Sequence, residues 1–529
     1  MSQLISKASN ITYTENGALT YASTENKLLD FFAMGGALRN ADVSRIREMV
    51  LSSFKEDREN TIKVLLYLRD IRGGQGEKKI YREGMKALFE NFEKDGWICE
   101  GMSEDKVKEE IQKLLEVLID TTIEVGSFKD IVEIFEPETY AFYVKKHLND
   151  KSSLMFKWLP SIGGGQNKKA ERLASALGMK PKTYRKMLSA KRKELDLVET
   201  KLCNKDYSAV DYNKVPSQAN IKYKDVFHKH DKERYLAFLE DVKKGKTGTK
   251  INASTLLPYQ LVQRVIANGW SAGSSWNNRK FKDDDSLEVL WKNLPDFSTE
   301  EDAIVVADTS GSMEGVPMGV SIGLALYFAE RNRGRFKDEF ITFSEKPTFF
   351  HLDRNDTFVN RVSAAYNSDW GMNTNLQAVF DLILDVAVEE KLPQCEIPKT
   401  VYIISDMEFD EATSRHSWQA GSSSKTSNYK AIAKKFKEAG YNVPNLIFWN
   451  VNSRQNNVPV RKNDQGVALV SGCSPSIFAM AVSTEDFNPL TFMNEAIDKE
   501  RYNTLSKNIM ERLNRVEDFT LYYNRTLDE

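Results

Sequence analysis

Ile304-Val305-Val306-Ala307-Asp308-Thr309-Ser310-Gly311-Ser312-Met313 is the stretch that decides the fold of the C-terminal part of this 529-residue chain. A short apolar run rich in β-branched residues reads as a buried strand. It breaks at Asp-x-Ser-x-Ser, and a helix is expected next, over 317–331. Outward from there the pattern repeats. Strands expected at 302–308, 338–344, 400–405 and 445–450 alternate with helices at 317–331, 375–390 and 427–439. This βαβ alternation predicts a doubly wound, mainly parallel sheet. Further helices are expected near 488–498 and 501–515.

Such sheets place ligands at the carboxyl ends of their strands. Asp308 and Asp406 both fall at strand ends, the latter in Val401-Tyr402-Ile403-Ile404-Ser405-Asp406. Thr374, in Trp370-Gly371-Met372-Asn373-Thr374-Asn375, falls just before a helix. Asp308, Ser310, Ser312, Thr374 and Asp406 therefore form a candidate set of hard oxygen ligands, suited to Mg²⁺ or another divalent cation such as Mn²⁺. The plainer alternative is that these side chains cap a helix and shape a turn.

Before residue 300 the pattern is helical. Helices are expected at 41–56, 59–71, 77–93, 103–125, 128–135, 138–149, 167–178 and 181–202, with others near 225–242 and 258–268. Pro216, the 243–250 stretch and Asp283–Asp285 read as loops. Helix pairs of this kind suit a HEAT-like α-solenoid, open or closed into a ring, with a compact bundle as the alternative. The fold class expected is thus α followed by α/β. Residues 1–300 would form the helical module, 301–515 the sheet domain and 516–529 a tail.

Composition narrows the function. Charged residues make up 28% and hydrophobic ones 41%, the balance of a globular protein, and no apolar run is long enough to cross a bilayer. Four scattered cysteines support neither a zinc site nor a disulfide framework, and no signal-peptide layout precedes them, so a cytoplasmic protein is expected. Residues 1–300 hold 50 Lys and Arg against 44 Asp and Glu; residues 301–529 hold 24 against 32. The basic part admits nucleic-acid contact.

The densest basic stretch runs from 168 to 193. It holds Lys168, Lys169, Arg172, Lys180, Lys182, Arg185, Lys186, Lys191, Arg192 and Lys193, with Glu171 the lone acid. On successive helices these cations can line up to neutralise phosphates, and Tyr184 among them can stack on a base. An ordinary solvated lysine face is the alternative. The Gly73-Gly74-Gln75-Gly76 turn, flanked by Arg69 and Arg72, is either a phosphate-binding nest or a plain connection between helices.

Other signals fail. Gly245-Lys246-Thr247 looks like the end of a P-loop, but that motif needs glycine at 240, which is Glu240. No Ser/His/Asp or Cys/His arrangement can be assembled from the five histidines. Asp283–Asp285 is a nuclease-like carboxylate run only in isolation.

Asp308-Thr309-Ser310-Gly311-Ser312, Thr374 and Asp406 resemble the metal-ion-dependent adhesion site of von Willebrand factor A domains. That resemblance implies cation-dependent ligand binding and no catalysis. Ser405-Asp406-Met407-Glu408 departs from the family in lacking a glycine after the aspartate, so Glu408 either crowds or supplements the site. Leu68–Lys79, Lys157-Trp158-Leu159-Pro160-Ser161, Tyr184-Arg185-Lys186-Met187-Leu188 and Val215-Pro216-Ser217 extend the resemblance to the Ro autoantigen-like (TROVE) family. Its uncharacterised relatives in plants, bacteria, phages and large viruses are the nearer match. The resemblance implies a non-enzymatic scaffold for small noncoding or misfolded RNA, with a protein partner at the metal site. An adaptor that binds only proteins, an assembly component of a larger particle and a Mg²⁺-dependent nuclease are the rivals.

Overall fold

The structure is a computed structural model and describes residues 10–94, 104–268, 281, 283–298, 300, 302–343, 347–368, 375–410, 428–480 and 487–526. The chain divides into two compact units. One comprises residues 1–42, 216–224 and 236–497; the other comprises 43–215, 225–235 and 498–529.

The first unit is built on a six-stranded sheet, preceded in the chain by a hairpin of β1 (Ile11–Tyr13) and β2 (Leu19–Tyr21). The sheet contains β3 (Ala303–Asp308), β4 (Glu339–Phe343), β5 (Thr348–His351), β6 (Thr400–Ser405), β7 (Asn445–Asn450) and β8 (Val467–Ser471). Its order is β5-β4-β3-β6-β7-β8. All neighbours are parallel except β4 and β5, which pair antiparallel at one edge. β3, β6 and β8 are buried along their whole length, as strands covered on both faces must be. The chain winds one way from β3 to β4 and the other way from β6 onward. The switch point therefore lies between the carboxyl ends of β3 and β6, where Ala307 pairs with Ile404.

The helix Val316–Arg331 follows β3 and is buried from Pro317 to Ala329. Its Gly319 and Gly323 let the helix Pro258–Asn268 approach closely. A Cβ on Gly323 would lie 2.9 Å from the backbone nitrogen of Tyr259, and one on Gly319 would lie 2.7 Å from Cγ of Gln263. The helix Asp285–Lys292 adds the fully buried Trp291, which stacks on Phe358 at a centroid distance of 4.4 Å. The sheet unit therefore recruits chain from well before residue 300, and the expected boundary there does not coincide with the division between units. Close helix packing through two glycines leaves no periodic signal in the sequence, so these contacts across position 300 are not legible there.

The second unit contains helices and, among the described residues, no strand. Val43–Glu56, Arg58–Arg69, Lys78–Lys94, Glu104–Val125, Phe128–Ile134 and Pro137–Lys146 succeed one another. Met155–Trp158, Asn167–Ala176, Pro181–Glu194 and Val198–Cys203 follow, and Glu500–Thr526 packs on Arg58–Arg69 and Glu104–Val125. Local chemistry sets the starts. The carboxylate of Asp57 accepts from the backbone of Asn60, and Pro137 and Pro181 occupy first-turn positions where a missing N–H costs nothing. The expected helix over 181–202 is two helices, because Asp196 takes a left-handed φ of 48° between them. No helix among the described residues is long and apolar enough to cross a membrane.

Candidate functional site

Asp308 ends β3 and is fully buried. Its Oδ1 accepts from the backbone N–H of Ser310 at 2.9 Å, and its Oδ2 accepts from the hydroxyl of Ser405 at 2.6 Å. Burial, and then the charge of Asp406, push its pKa up to about 6, against the opposing hydrogen bonds from Ser405 and Ser310. The hydroxyls of Ser310 and Ser312 lie 3.0 Å apart. The switch point thus gathers Asp308, Ser310, Ser312, Ser405 and Asp406.

Asp406 is 1% exposed. Its Oδ1 accepts weakly from the backbone of Glu408 at 3.3 Å. Its Oδ2 lies 3.2 Å from Nη2 of Arg454, an ion pair without hydrogen-bond alignment, so this buried oxygen has no donor. Burial raises its pKa, while Ser312 and Arg454 oppose the shift. Oγ1 of Thr309 is also buried without a partner. Orphaned buried oxygens are costly unless something fills their place.

The missing glycine after Asp406 has a structural counterpart. Met407 adopts a left-handed φ of 67°, which a glycine would take at no steric cost. Its backbone N–H donates to Ser405 Oγ at 3.1 Å. The Glu408 carboxylate accepts from the backbone of Glu15 at 2.7 Å and from the side-chain amide of Asn457 at 3.1 Å.

That contact reveals an element unmarked in the sequence. The tip of the β1–β2 hairpin rests on segment 406–410. Thr14 donates to the carbonyl of Phe409 at 2.6 Å, Asn16 donates to that of Glu408 at 2.7 Å, and Gly17 bridges Asp410. Glu15 on this tip shares Arg454 with Asp406, at 2.8 Å. No motif spacing links positions 15 and 454 to the Asp-x-Ser-x-Ser run. Only charge types on exposed loops could have hinted at them.

The donor set fits a hard divalent cation. It is all oxygen, it carries two buried carboxylates, and Asp406 Oδ2 and Thr309 Oγ1 lack donors. Hydroxyls supply much of it; among the described residues no group of three or more His, Cys, Asp or Glu is placed to hold a metal. Thr374, the fifth candidate ligand, lies outside the described residues.

The candidate nucleic-acid residues separate into two groups. Lys168, Lys182, Arg185 and Lys186 are exposed, as are Lys180 and Lys193 beside them. The others are engaged. Tyr184 is fully buried and donates to the carbonyl of Pro160 at 2.8 Å, so its ring is a core element and offers no face to a base. Arg192 is spent on the carbonyls of Phe156 and Leu159 as a clamp between helices, at 2.9 and 2.7 Å. Arg172 pairs with Glu136 and Glu138, both at 2.6 Å. Lys169 donates to the carbonyl of Val132 at 3.0 Å, and Lys191 lies over the ring of Phe156.

Arg69 and Arg72 are structural too. Arg69 is buried against Asp130 at 2.7 Å, and Arg72 donates to the carbonyl of Glu124 at 3.1 Å. The glycine turn between them spends its amides internally: Gln75 donates to Tyr67, Gly76 to Asp70 and Glu77 to Leu68. It is a connection between helices and no phosphate nest.

Residues 302–518 match a domain of unknown function (DUF7788), and residues 14–136 and 165–297 match a second one (DUF2828). The chain is also similar to an uncharacterised protein of Acanthamoeba polyphaga mimivirus. The two are 28% identical over 541 residues, which cover 92% of this chain and 87% of that protein.

Proposed function

We propose that the protein is a non-enzymatic, cytoplasmic RNA-binding scaffold of the Ro autoantigen-like type. In this reading the helical unit is a HEAT-like solenoid that holds RNA. The sheet unit is a von Willebrand A-type domain that takes Mg²⁺ or Mn²⁺. The observation that carries the reading is the set of exposed cations on and beside Pro181–Glu194. Lys180, Lys182, Arg185, Lys186 and Lys193 stand without acidic partners among the described residues, whereas Arg172 nearby is neutralised by two glutamates. Cations left unpaired on one stretch are what a phosphate backbone requires.

The test is a binding titration of the full chain with a fluorescent RNA hairpin bearing a single-stranded end. Charge reversal by Lys182→Glu, Arg185→Glu and Lys186→Glu is expected to weaken binding by at least about tenfold and to flatten its salt dependence. A wild-type protein that binds neither structured nor single-stranded RNA would end the reading.

A second reading, a protein-interaction adaptor, is favoured by the cradle at the switch point. There Asp308, Ser310, Ser312 and Asp406 would hold the cation, which when bound supplies a positive charge for a partner's carboxylate. Asp308→Asn should then abolish Mn²⁺ binding measured by electron paramagnetic resonance. RNA binding that survives this substitution would separate the two roles.

A further inference from the structure

The helical unit carries a second group of cations, apart from those on Pro181–Glu194. At its centre is Asp130, fully buried with both oxygens engaged. Oδ2 accepts from Nη2 and Nε of Arg69 at 2.7 and 3.1 Å, and Oδ1 accepts from Nε of Arg82 at 2.7 Å. The backbone N–H of Ser127 adds a bond to Oδ2 at 3.2 Å. One carboxylate therefore serves two guanidinium groups.

Two ammonium groups join them. Lys78 feels Arg69, Arg82 and Lys129 as well as Asp130; loss of solvent and then Arg69 lower its pKa. Lys129 is the chain neighbour of Asp130, acts electrostatically on Lys78, and lies with its Nζ 5.7 Å from the centroid of Trp158. Among the described residues neither lysine meets an acidic side chain in an ion pair. Arg82 is gripped at Nε, and its two terminal amino groups have no acceptor among the described residues. Four cations thus surround a single, saturated carboxylate.

This arrangement has the parts of an oxyanion site. A guanidinium held at Nε by a buried carboxylate keeps its two terminal amino groups for other acceptors, donors that can meet two oxygens of one phosphoryl group. Crowded cations repel one another, and that repulsion is relieved when an anion arrives. We propose that Lys78, Arg82 and Lys129 bind a phosphoryl group, with Asp130 and Arg69 as the rigid floor of the site. Its source is either free phosphate or a phosphate of RNA. The inference does not rest on the cations of Pro181–Glu194.

The test uses the full chain in metal-free buffer, with inorganic phosphate as the probe in calorimetry and ³¹P line broadening. Wild-type protein is expected to bind it. Lys78→Gln with Lys129→Gln should weaken binding by about tenfold or more, and Arg82→Lys should weaken it by keeping the charge and losing the fork. Charge reversal at Lys182, Arg185 and Lys186 should leave it unchanged, which keeps this site distinguishable from the RNA reading. Competition by phosphate against a 5′-phosphorylated single-stranded RNA, but not against its 5′-hydroxyl counterpart, would assign the site to an RNA end. Phosphate binding without competition would assign it to the free anion. No binding at about 10 mM phosphate, or binding that survives the double lysine substitution, overturns the proposal.

Discussion

Nη2 of Arg454 lies 3.2 Å from Oδ2 of Asp406, and the same nitrogen lies 2.8 Å from Glu15 on the hairpin tip. A guanidinium thus stands where a cation at the switch point would draw its charge balance. Arg454→Gln removes this competitor while leaving a shorter, neutral polar side chain. At the intermediate dielectric of such a rim, one neighbouring positive charge is worth about 1–2 kcal/mol. Mn²⁺ affinity, read by calorimetry, is expected to rise about 5- to 30-fold in the variant. Unchanged or weaker affinity would show that Arg454 does not oppose the metal.

Acid should weaken a different contact. Asp284 caps the helix Asp285–Lys292 through the backbone N–H of Ser286 at 3.0 Å and pairs with the buried ammonium of Lys224. Burial alone would raise its pKa, but the bonds from Lys224 and Ser286 bring it below the ordinary aspartate value. A depressed folded-state pKa contributes stability above the unfolded value of 3.8, and that contribution is lost as pH falls through the folded value. Denaturant midpoints of the wild type should therefore drop below about pH 4. Asp284→Asn keeps the cap but takes the carboxylate away from the buried ammonium of Lys224. It should cost about 3 kcal/mol at pH 7, and the gap to wild type should narrow in acid. A gap that stays constant with pH would refute the assignment.

Tyr184 offers a test that separates packing from recognition. Tyr184→Phe removes one buried hydrogen bond, to Pro160, and should lower stability by about 1 kcal/mol while leaving RNA affinity unaltered. If affinity fell instead while the melting curve stayed in place, the ring would have a ligand after all.

Gly74 sets a tight turn. A Cβ there would sit 1.9 Å from the carbonyl oxygen of Tyr67, and backbone atoms cannot yield as a side chain can. Gly74→Ala is expected to destabilise the helical unit by about 3 kcal/mol or more, detected as a lower urea midpoint. Gly73→Ala, whose Cβ would meet nothing closer than 3.4 Å, serves as the mild control.

Much of this architecture was legible in the residues. The strands at 400–405 and 445–450 match their expected limits, and the helices Val316–Arg331 and Glu104–Val125 differ from expectation by one residue at one end. Each has a long apolar period or a clean run of β-branched residues. Asp308, Ser310, Ser312 and Asp406 were placed together because strand ends in a doubly wound sheet share one rim. Elements held by tertiary contact were missed. β8 is short, the β1–β2 hairpin pairs only three residues per strand, and the helix Lys27–Gly35 is followed by Gly36, whose backbone lies against Ser471. Asp284 read as part of a loop because a cap and a loop carboxylate look alike until the helix after it is seen. The basic stretch misled in another way. Sequence counts charges but does not reveal that Arg172 and Arg192 are already spent, or that Tyr184 faces inward.

The division into units bears on how the chain comes off a ribosome. It passes from one unit to the other five times, at residues 42, 215, 224, 235 and 497. Residues 43–215 emerge early, yet the helix Glu500–Thr526, which packs on Arg58–Arg69 and Glu104–Val125, is synthesised after the whole sheet. The apolar faces it covers must wait through several hundred residues of elongation. A nascent chain stalled before residue 498 would expose them, and that interval is where chaperone engagement is expected to concentrate.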